Sequence, residues 1–227
     1  MRLFIDIETI PTQREDIKTD IRFNISAPAN YTKPETIAKW IEENAETEFD
    51  RQYRKTALDG LLGEIVSIAW AIEDNDPQVL FRVAGESETD LLRAFFEDLQ
   101  LLTDKNSQRI NITQWIGHYI TGFDLRFIWQ RCVVNQVKPT VKIPYNAKPW
   151  DDCVFDTKVE WSGTGQYSGK SSLDALCKAF DLEGKGDIDG SKVWDYYQAG
   201  RIEEIAEYNK NDVIKAREIF NKLNFIK

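Results

Sequence analysis

Histidine is nearly absent from this 227-residue chain: His118 is the only one. That excludes multi-histidine metal sites and any acid–base mechanism built on two histidines, and it leaves carboxylates and tyrosines as the expected reagents. Cysteine is almost as scarce. Cys132, Cys153 and Cys177 are odd in number, far apart and without Cys-x-x-Cys spacing, so neither a zinc site nor a disulfide framework is supported. Positive charge is in deficit, with 29 Lys and Arg against 38 Asp and Glu and a formal charge of -9. A chain so acidic has no general basic surface for long nucleic acid, and a polyanionic substrate has to be held locally. No apolar run approaches the roughly 18 residues of a membrane span. MRLFIDIETIP reaches its first carboxylate at Asp6, before a basic-then-apolar leader is formed. The expectation is a cytoplasmic protein with no membrane contact.

What is present is an ordinary globular composition, 42% hydrophobic and 30% charged, with room for one large α/β domain over residues 1–227. FIDIETIP reads as a strand. EIVSIAWAI, from Glu64 to Ile72, and the segment Val79 to Val83 read as a hairpin beside it, turned at Asp74 to Pro77. Ser87-Glu-Thr-Asp90 resembles a capping box, and Leu91, Leu92, Phe95, Phe96 and Leu99 follow at helical spacing. Ile112 to Gly117 is a fourth strand, GFDLRFIWQR a helix beginning near Asp124, and Cys153 to Trp161 a weaker fifth strand. Two further helices are expected, around Leu173 to Phe180 and from Arg201 to Leu223. Between the first two strands lies an insertion, roughly residues 12 to 60, with a long amphipathic helix marked by Ile37, Ile41, Ala45, Phe49 and Tyr53. WSGTGQYSGK, residues 161 to 170, reads as a mobile loop.

Alternate residues of a strand share a face, so Phe4, Asp6 and Glu8 point one way and Leu3, Ile5 and Ile7 the other. Two carboxylates therefore lie side by side on an otherwise apolar strand. A solvated edge explains one such pair, and helix capping explains a single Asp124. Tyr208 and Asp212, four apart on a helix, share a face as well. The argument changes when these fragments are taken in order. Asp-x-Glu on the first strand, Phe-Asp at a helix start and Tyr-x-x-x-Asp in the last helix resemble the DEDD exonucleases, and the tyrosine resembles their DEDDy branch. The segments FIDIETIP, GHYITGFD and YNKNDV, with GKGDIDGSKVWDYYQAG before the third, are similar to the stand-alone exonucleases related to the proofreading domain of family B DNA polymerases.

The resemblance implies a ribonuclease H-like α/β fold with a mixed five-stranded sheet flanked by helices. It also implies a 3'-5' exonuclease that hydrolyses phosphodiester bonds at the 3' end of single-stranded DNA. Four clustered carboxylates repel one another and need cations. Two hard ions, Mg2+ or Mn2+, about 3.5 to 4 Å apart, would supply them and hold the attacking and leaving oxygens of an in-line displacement. By resemblance Asp6 bridges both ions, Glu8 and Asp212 complete the nucleophile-side ion, Asp124 holds the leaving-group ion directly or through water, and Tyr208 orients the attacking water. Thr9, Ile10, His118, Tyr119, Phe123 and Lys170, in or beside the motifs, are candidates for contact with the terminal nucleotide. Tyr119 stands where many relatives carry Asn, which puts the seating of that nucleotide in doubt. Arg51, Arg54, Lys55 and Lys148, with Trp150, Trp161 and Tyr167, are candidates for tracking a single strand. The alternatives are trimming of RNA 3' ends and a non-catalytic nucleic-acid-binding accessory module of the same fold. The acidic surface leaves room for a replication or repair partner that supplies affinity.

Overall fold

A computed structural model describes residues 1–83, 85–102, 111–163, 171–182 and 188–226. The chain runs β1 (Arg2–Ile10), α1 (Glu15–Phe23), α2 (Pro34–Lys55), β2 (Glu64–Ile72), β3 (Gln78–Phe81), α3 (Glu88–Leu101), β4 (Gln114–Gly117) and α4 (Asp124–Val134). It continues through β5 (Val154–Asp156), α5 (Thr157–Ser162), α6 (Leu173–Ala179), α7 (Val193–Gln198) and α8 (Ile202–Leu223). The sheet order is β3-β2-β1-β4-β5. β1 pairs antiparallel with β2 and parallel with β4, which is parallel to β5. This is the mixed five-stranded sheet of a ribonuclease H-like fold, with β1 at its centre.

Alternation along β1 and β2 decides what covers each face. Leu3, Ile5 and Ile7 join Ile68, Trp70 and Ile72 in a core completed by Leu92, Phe95 and Phe96 of α3 and Phe127 and Ile128 of α4. Each such large apolar side chain contributes roughly 1.5–3 kcal/mol on burial. The opposite face of β2 carries small residues, Ser67, Ala69 and Ala71, paired across the sheet with Glu8, Asp6 and Phe4. Their size lets α8 approach closely. Val213 and Phe220 of that helix pack on Phe4, Ala69, Ala71 and Ile116. The fold thereby brings Tyr208 and Asp212 over the two acidic residues of β1. Gly117, the last residue of β4, permits a second close approach, since a Cβ there would lie 2.7 Å from the Ile5 carbonyl oxygen.

Several expectations are revised. The Cys153–Trp161 strand stops at Asp156, because that side chain accepts from the backbone N–H groups of Lys158 and Val159 and starts α5, which contains Trp161 and Ser162. The rest of the expected 161–170 loop, with Tyr167 and Lys170, lies outside the described residues. β4 begins at Gln114 rather than Ile112, and β3 ends at Phe81. Three helices, α1, α5 and α7, were not expected. The segment between β1 and β2 holds both α1 and α2, and the apolar stripe of α2 is only partly covered: Tyr53 is buried, Ile37, Ala45 and Phe49 are half-buried and Ile41 is exposed.

Away from the acidic residues, the carboxylate of Glu88 is buried and accepts from Ile65 N (2.7 Å), from Arg131 and from Asn135 Nδ2. The Arg131 guanidinium, also buried, meets it at 2.6 Å. The pair ties α3 and α4 to the start of β2. Removing one partner strands a buried charge, so Arg131→Met is expected to lower the unfolding free energy by about 3–5 kcal/mol, measured as a shift in the urea midpoint. A loss below about 1 kcal/mol would mean that water reaches Glu88 in the variant.

Candidate active site

Asp6, Glu8 and Asp212 converge. One carboxylate oxygen from each lies within 4.8 Å of the others. Glu8 and Asp212 are buried and Asp6 is half-buried. Burial, then the charges of Asp124, Glu8 and Asp212, push the Asp6 carboxyl well above the usual carboxylate range. A hydrogen bond from Asn209 acts the other way. Glu8 is raised by burial and then by the charges of Asp212 and Asp124.

Asp124 is the first residue of α4 and is buried against β1, where its Oδ1 accepts from Ile7 N at 3.2 Å. It does not cap its own helix as a lone Asp at that position would, since Phe123 holds the cap position. Burial raises its carboxyl to about 7; the bonds from its own backbone and from Ile7 N lower it, and nearby Asp156 raises it. Tyr208 lies one turn before Asp212 on α8. Its phenol is pushed far above the ordinary tyrosine range by burial and by the charges of Glu8, Asp212 and Asp6, so it remains a protonated donor. Among the described residues the cation bonded to this group is Lys215, itself buried, whose Nζ donates to Asp212 Oδ1 at 2.9 Å.

The donors are all oxygen and all anionic, a set suited to hard divalent cations. One internal lysine does not neutralise four carboxylates. The rest of the compensation has to come from bound cations or from protons.

The candidate substrate residues separate. Thr9 and Phe123 line a cleft of about 460 Å³ next to Glu8, shared with Lys55, Ser191 and Trp194. The Thr9 hydroxyl donates to Ala57 O at 2.7 Å, which joins β1 to the turn after α2. Ile10 is not in that cleft: its side chain is fully buried with Val66, Val193 and Ile205. His118 is half-buried between β4 and β5, its Nδ1 3.0 Å from Thr157 Oγ1. That hydroxyl also reaches Gly117 O at 3.2 Å, and the ring bonds the backbone of Ser171. Burial lowers His118 to about 4, leaving a neutral ring that braces two strand ends.

Tyr119 is 45% exposed and has φ +67°, a conformation that costs a non-glycine residue roughly 1–3 kcal/mol. Asn tolerates that region better than Tyr, which gives the residue carried by many relatives a backbone rationale. Lys158 Nζ sits 3.8 Å from the Tyr119 ring centroid. A Cβ at Gly122 would be 2.3 Å from the same ring, so any other residue there has to displace the ring from its present position.

The sequence reading missed Asp156. It is fully buried and accepts from Tyr119 N, Thr121 N and the Thr121 hydroxyl, which holds the loop leading to Asp124 in its strained shape. Its signal was an Asp standing directly before a helix-forming run. Asn209 was missed too, although a polar residue on the buried stripe of α8 is conspicuous. The expected basic end of α2 is mostly engaged: Arg51 pairs with Glu48, and Arg54 with Asp50 and with Asp195 of α7. Lys55 has no ion pair among the described residues and faces the cleft. Trp150 and Trp161 are exposed, the latter edge-on to Phe180.

A sheet of this order with an acidic cluster beside its central strand defines a class, the nucleases of the ribonuclease H-like fold. The family described as a predicted 3'-5' exonuclease related to the exonuclease domain of PolB matches residues 57–227, and the chain belongs to it. The match begins after β1, so Asp6 and Glu8 fall outside the matched span. A family B DNA polymerase from the hyperthermophilic archaeon Pyrobaculum calidifontis is similar in structure, with a TM-score of 0.57 and 16% identity. The alignment covers 97% of this chain and 24% of the polymerase, so the chain spans about a quarter of that protein's length. The likeness is one of fold. No curated protein matches the chain. No helix among the described residues is long and apolar enough to cross a membrane.

The raised carboxyls carry a pH consequence for the metal-free protein. Between the ordinary carboxylate range and about 7 the folded state holds more protons than the unfolded one, so stability falls as pH rises through that window. Urea midpoints without divalent ions are expected to drop from pH 4 to pH 7.5. In Asp124→Asn, which keeps an acceptor for Ile7 N, the drop should be shallower. Identical slopes for the two proteins would show that Asp124 titrates normally.

Proposed function

We propose that the chain is a 3'-5' exonuclease of the DEDDy type that hydrolyses single-stranded DNA with two divalent ions, Mg2+ or Mn2+, held by Asp6, Glu8, Asp124 and Asp212. The observation that carries this reading is the convergence of Asp6, Glu8 and Asp212 beside Asp124 and a protonated Tyr208. When bound, such ions neutralise the carboxylates and supply Lewis-acid stabilisation of charge on the attacking and leaving oxygens. Tyr208 donates a hydrogen bond that orients the attacking water; a phenol pushed upward in this way is no base near neutral pH. Asp124, whose Oδ1 accepts from Ile7 N, would offer a carboxylate oxygen to the second ion.

The cleft between Glu8, Thr9 and Phe123 suits a terminal nucleoside, with Phe123 and Trp194 as ring surfaces and Lys55 as a phosphate contact. We read the end of α2 as one wall of that cleft, which gives the segment from residue 12 to 60 a clamping role. The whole chain, 1–227, acts in this reading as one domain. Its acidic surface favours short single-stranded ends over long duplex, and a replication or repair partner would bring it to them. The same site chemistry would serve an RNA end, so hydrolysis of matched DNA and RNA strands decides between the polymers.

Asp6→Ala and Asp212→Ala are expected to abolish cleavage of a labelled single strand, since each removes a ligand, and Asp212→Ala also to lower stability, since it strands the buried Lys215. More than a tenth of the wild-type rate in either, at saturating Mn2+, would overturn the assignment. Tyr208→Phe should slow cleavage by on the order of 10- to 1000-fold, because it deletes the orienting hydroxyl and spares the carboxylates. An unchanged rate would remove Tyr208 from the mechanism.

A further inference from the structure

Behind the acidic group runs a buried polar chain that neither the motifs nor the family description accounts for. Asn209 follows Tyr208 on α8 and is fully buried. Its Nδ2 donates to Asp6 Oδ2 at 2.6 Å. Its Oδ1 accepts from the hydroxyl of Ser67 at 2.8 Å, and Ser67, on β2, is also fully buried. Ser67 stands directly opposite Glu8 in the β1–β2 pairing, on the face that carries the carboxylates. Three elements of the fold therefore meet in a single line of hydrogen bonds that ends on Asp6.

The orientation of this line follows from its members. In its cation-binding, ionised form Asp6 is acceptor-only, so the amide has to turn its NH2 toward it, and the amide oxygen then needs a donor elsewhere. Ser67 is that donor. Without its hydroxyl the amide oxygen is a buried, unsatisfied acceptor, and the opposite amide orientation would set oxygen against carboxylate. A hydrogen bond to one oxygen of Asp6 also fixes the plane of the carboxylate and hence the direction in which the other oxygen points. At a metal-binding carboxylate, such outer partners typically govern affinity by 10- to 100-fold.

We infer that Asn209 and Ser67 are positioning residues that hold Asp6 in the orientation required for divalent-ion binding, Ser67 acting through Asn209. The inference rests on the reading of Asp6, Glu8 and Asp212 as metal ligands. The chain has no need of Asn209 for packing alone, because its neighbours on the same helical stripe, Ile205, Val213 and Ala216, are apolar. A leucine or alanine there would continue the stripe.

The test is Mn2+ binding followed by electron paramagnetic resonance, without substrate, on wild type, Ser67→Ala, Asn209→Ala and the double variant, each first checked for cooperative thermal unfolding. Asn209→Ala is expected to weaken Mn2+ binding by roughly 10- to 100-fold. Ser67→Ala should weaken it by a smaller factor, on the order of 3- to 10-fold, and the double variant should bind no more weakly than Asn209→Ala, since two residues in one chain are not additive. The Mn2+ concentration for half-maximal cleavage should shift in parallel, with kcat at saturating Mn2+ little changed in Ser67→Ala. Wild-type affinity in a folded Asn209→Ala, or in a folded Ser67→Ala should Asn209→Ala fail to fold, would overturn the inference and leave the exonuclease reading standing. A wild-type protein that binds no Mn2+ would overturn both.

Discussion

Mutual repulsion among carboxylates taken out of water is the constraint around which this structure is organised. Asp6, Glu8, Asp124 and Asp212 come from three separate elements, and the apolar packing of those elements holds them close against their charge. Burial and like charge both favour the protonated forms. The energy that keeps the group assembled comes from elsewhere: the Phe4, Val213 and Phe220 contacts on one face of the sheet, and the larger core under α3 and α4 on the other. The fold behaves as a clamp on an arrangement that would relax if its ligands were on loops.

The same constraint explains why the immediate surroundings are polar in a place where the sheet is otherwise apolar. Lys215 offsets part of the charge on Asp212, Ile7 N bonds Asp124, and Asn209 bonds Asp6. Each carboxylate of the group except Glu8 thus has a donor of its own among these three. Asp156 performs a related task two strands away, where five donors converge on it, two starting α5 and three fixing the turn between β4 and α4. That turn delivers Asp124, so a carboxylate outside the cluster helps to define its geometry.

Much of the scaffold was legible in the sequence, and the reasons are specific. β1, β2, α3, α4, α6 and α8 carry apolar periods long enough to be read, and Ser87 and Asp90 form the capping box their spacing announced. α1, α5 and α7 were not legible because none buries an apolar stripe: α1 has no buried residue, and α5 and α7 bury one each, Thr157 and Val193. β5 looked longer than it is because Val154, Phe155, Val159 and Trp161 continue an apolar run past the cap at Asp156. Within the site, the motifs named the acidic residues and Tyr208 because their spacing is local. Asn209 and Ser67 were hidden because their significance lies in each other and in Asp6, partners on distant segments that no window along the chain can see. Arg51 and Arg54 looked available although Glu48 and Asp50 stand three and four residues before them on the same helix; only Asp195 lay beyond a local reading.

The hydrogen bond between Asn209 and Asp6 joins residues 203 positions apart. During synthesis β1, β2 and β3 leave the ribosome before α8 exists, so any pairing among them is made without that helix. Their Phe4, Ala69 and Ala71 face then has nothing to cover it, and Asp6 and Glu8 stay in water, where their charges are well tolerated. Arrival of α8 closes that face and dehydrates the acidic residues in one event. A ribosome that stalls before about residue 200 leaves a nascent chain with most of its sheet, an uncovered apolar surface, and no enclosed acidic centre. Any cleaving activity that depends on that centre is therefore withheld until translation has passed the last helix.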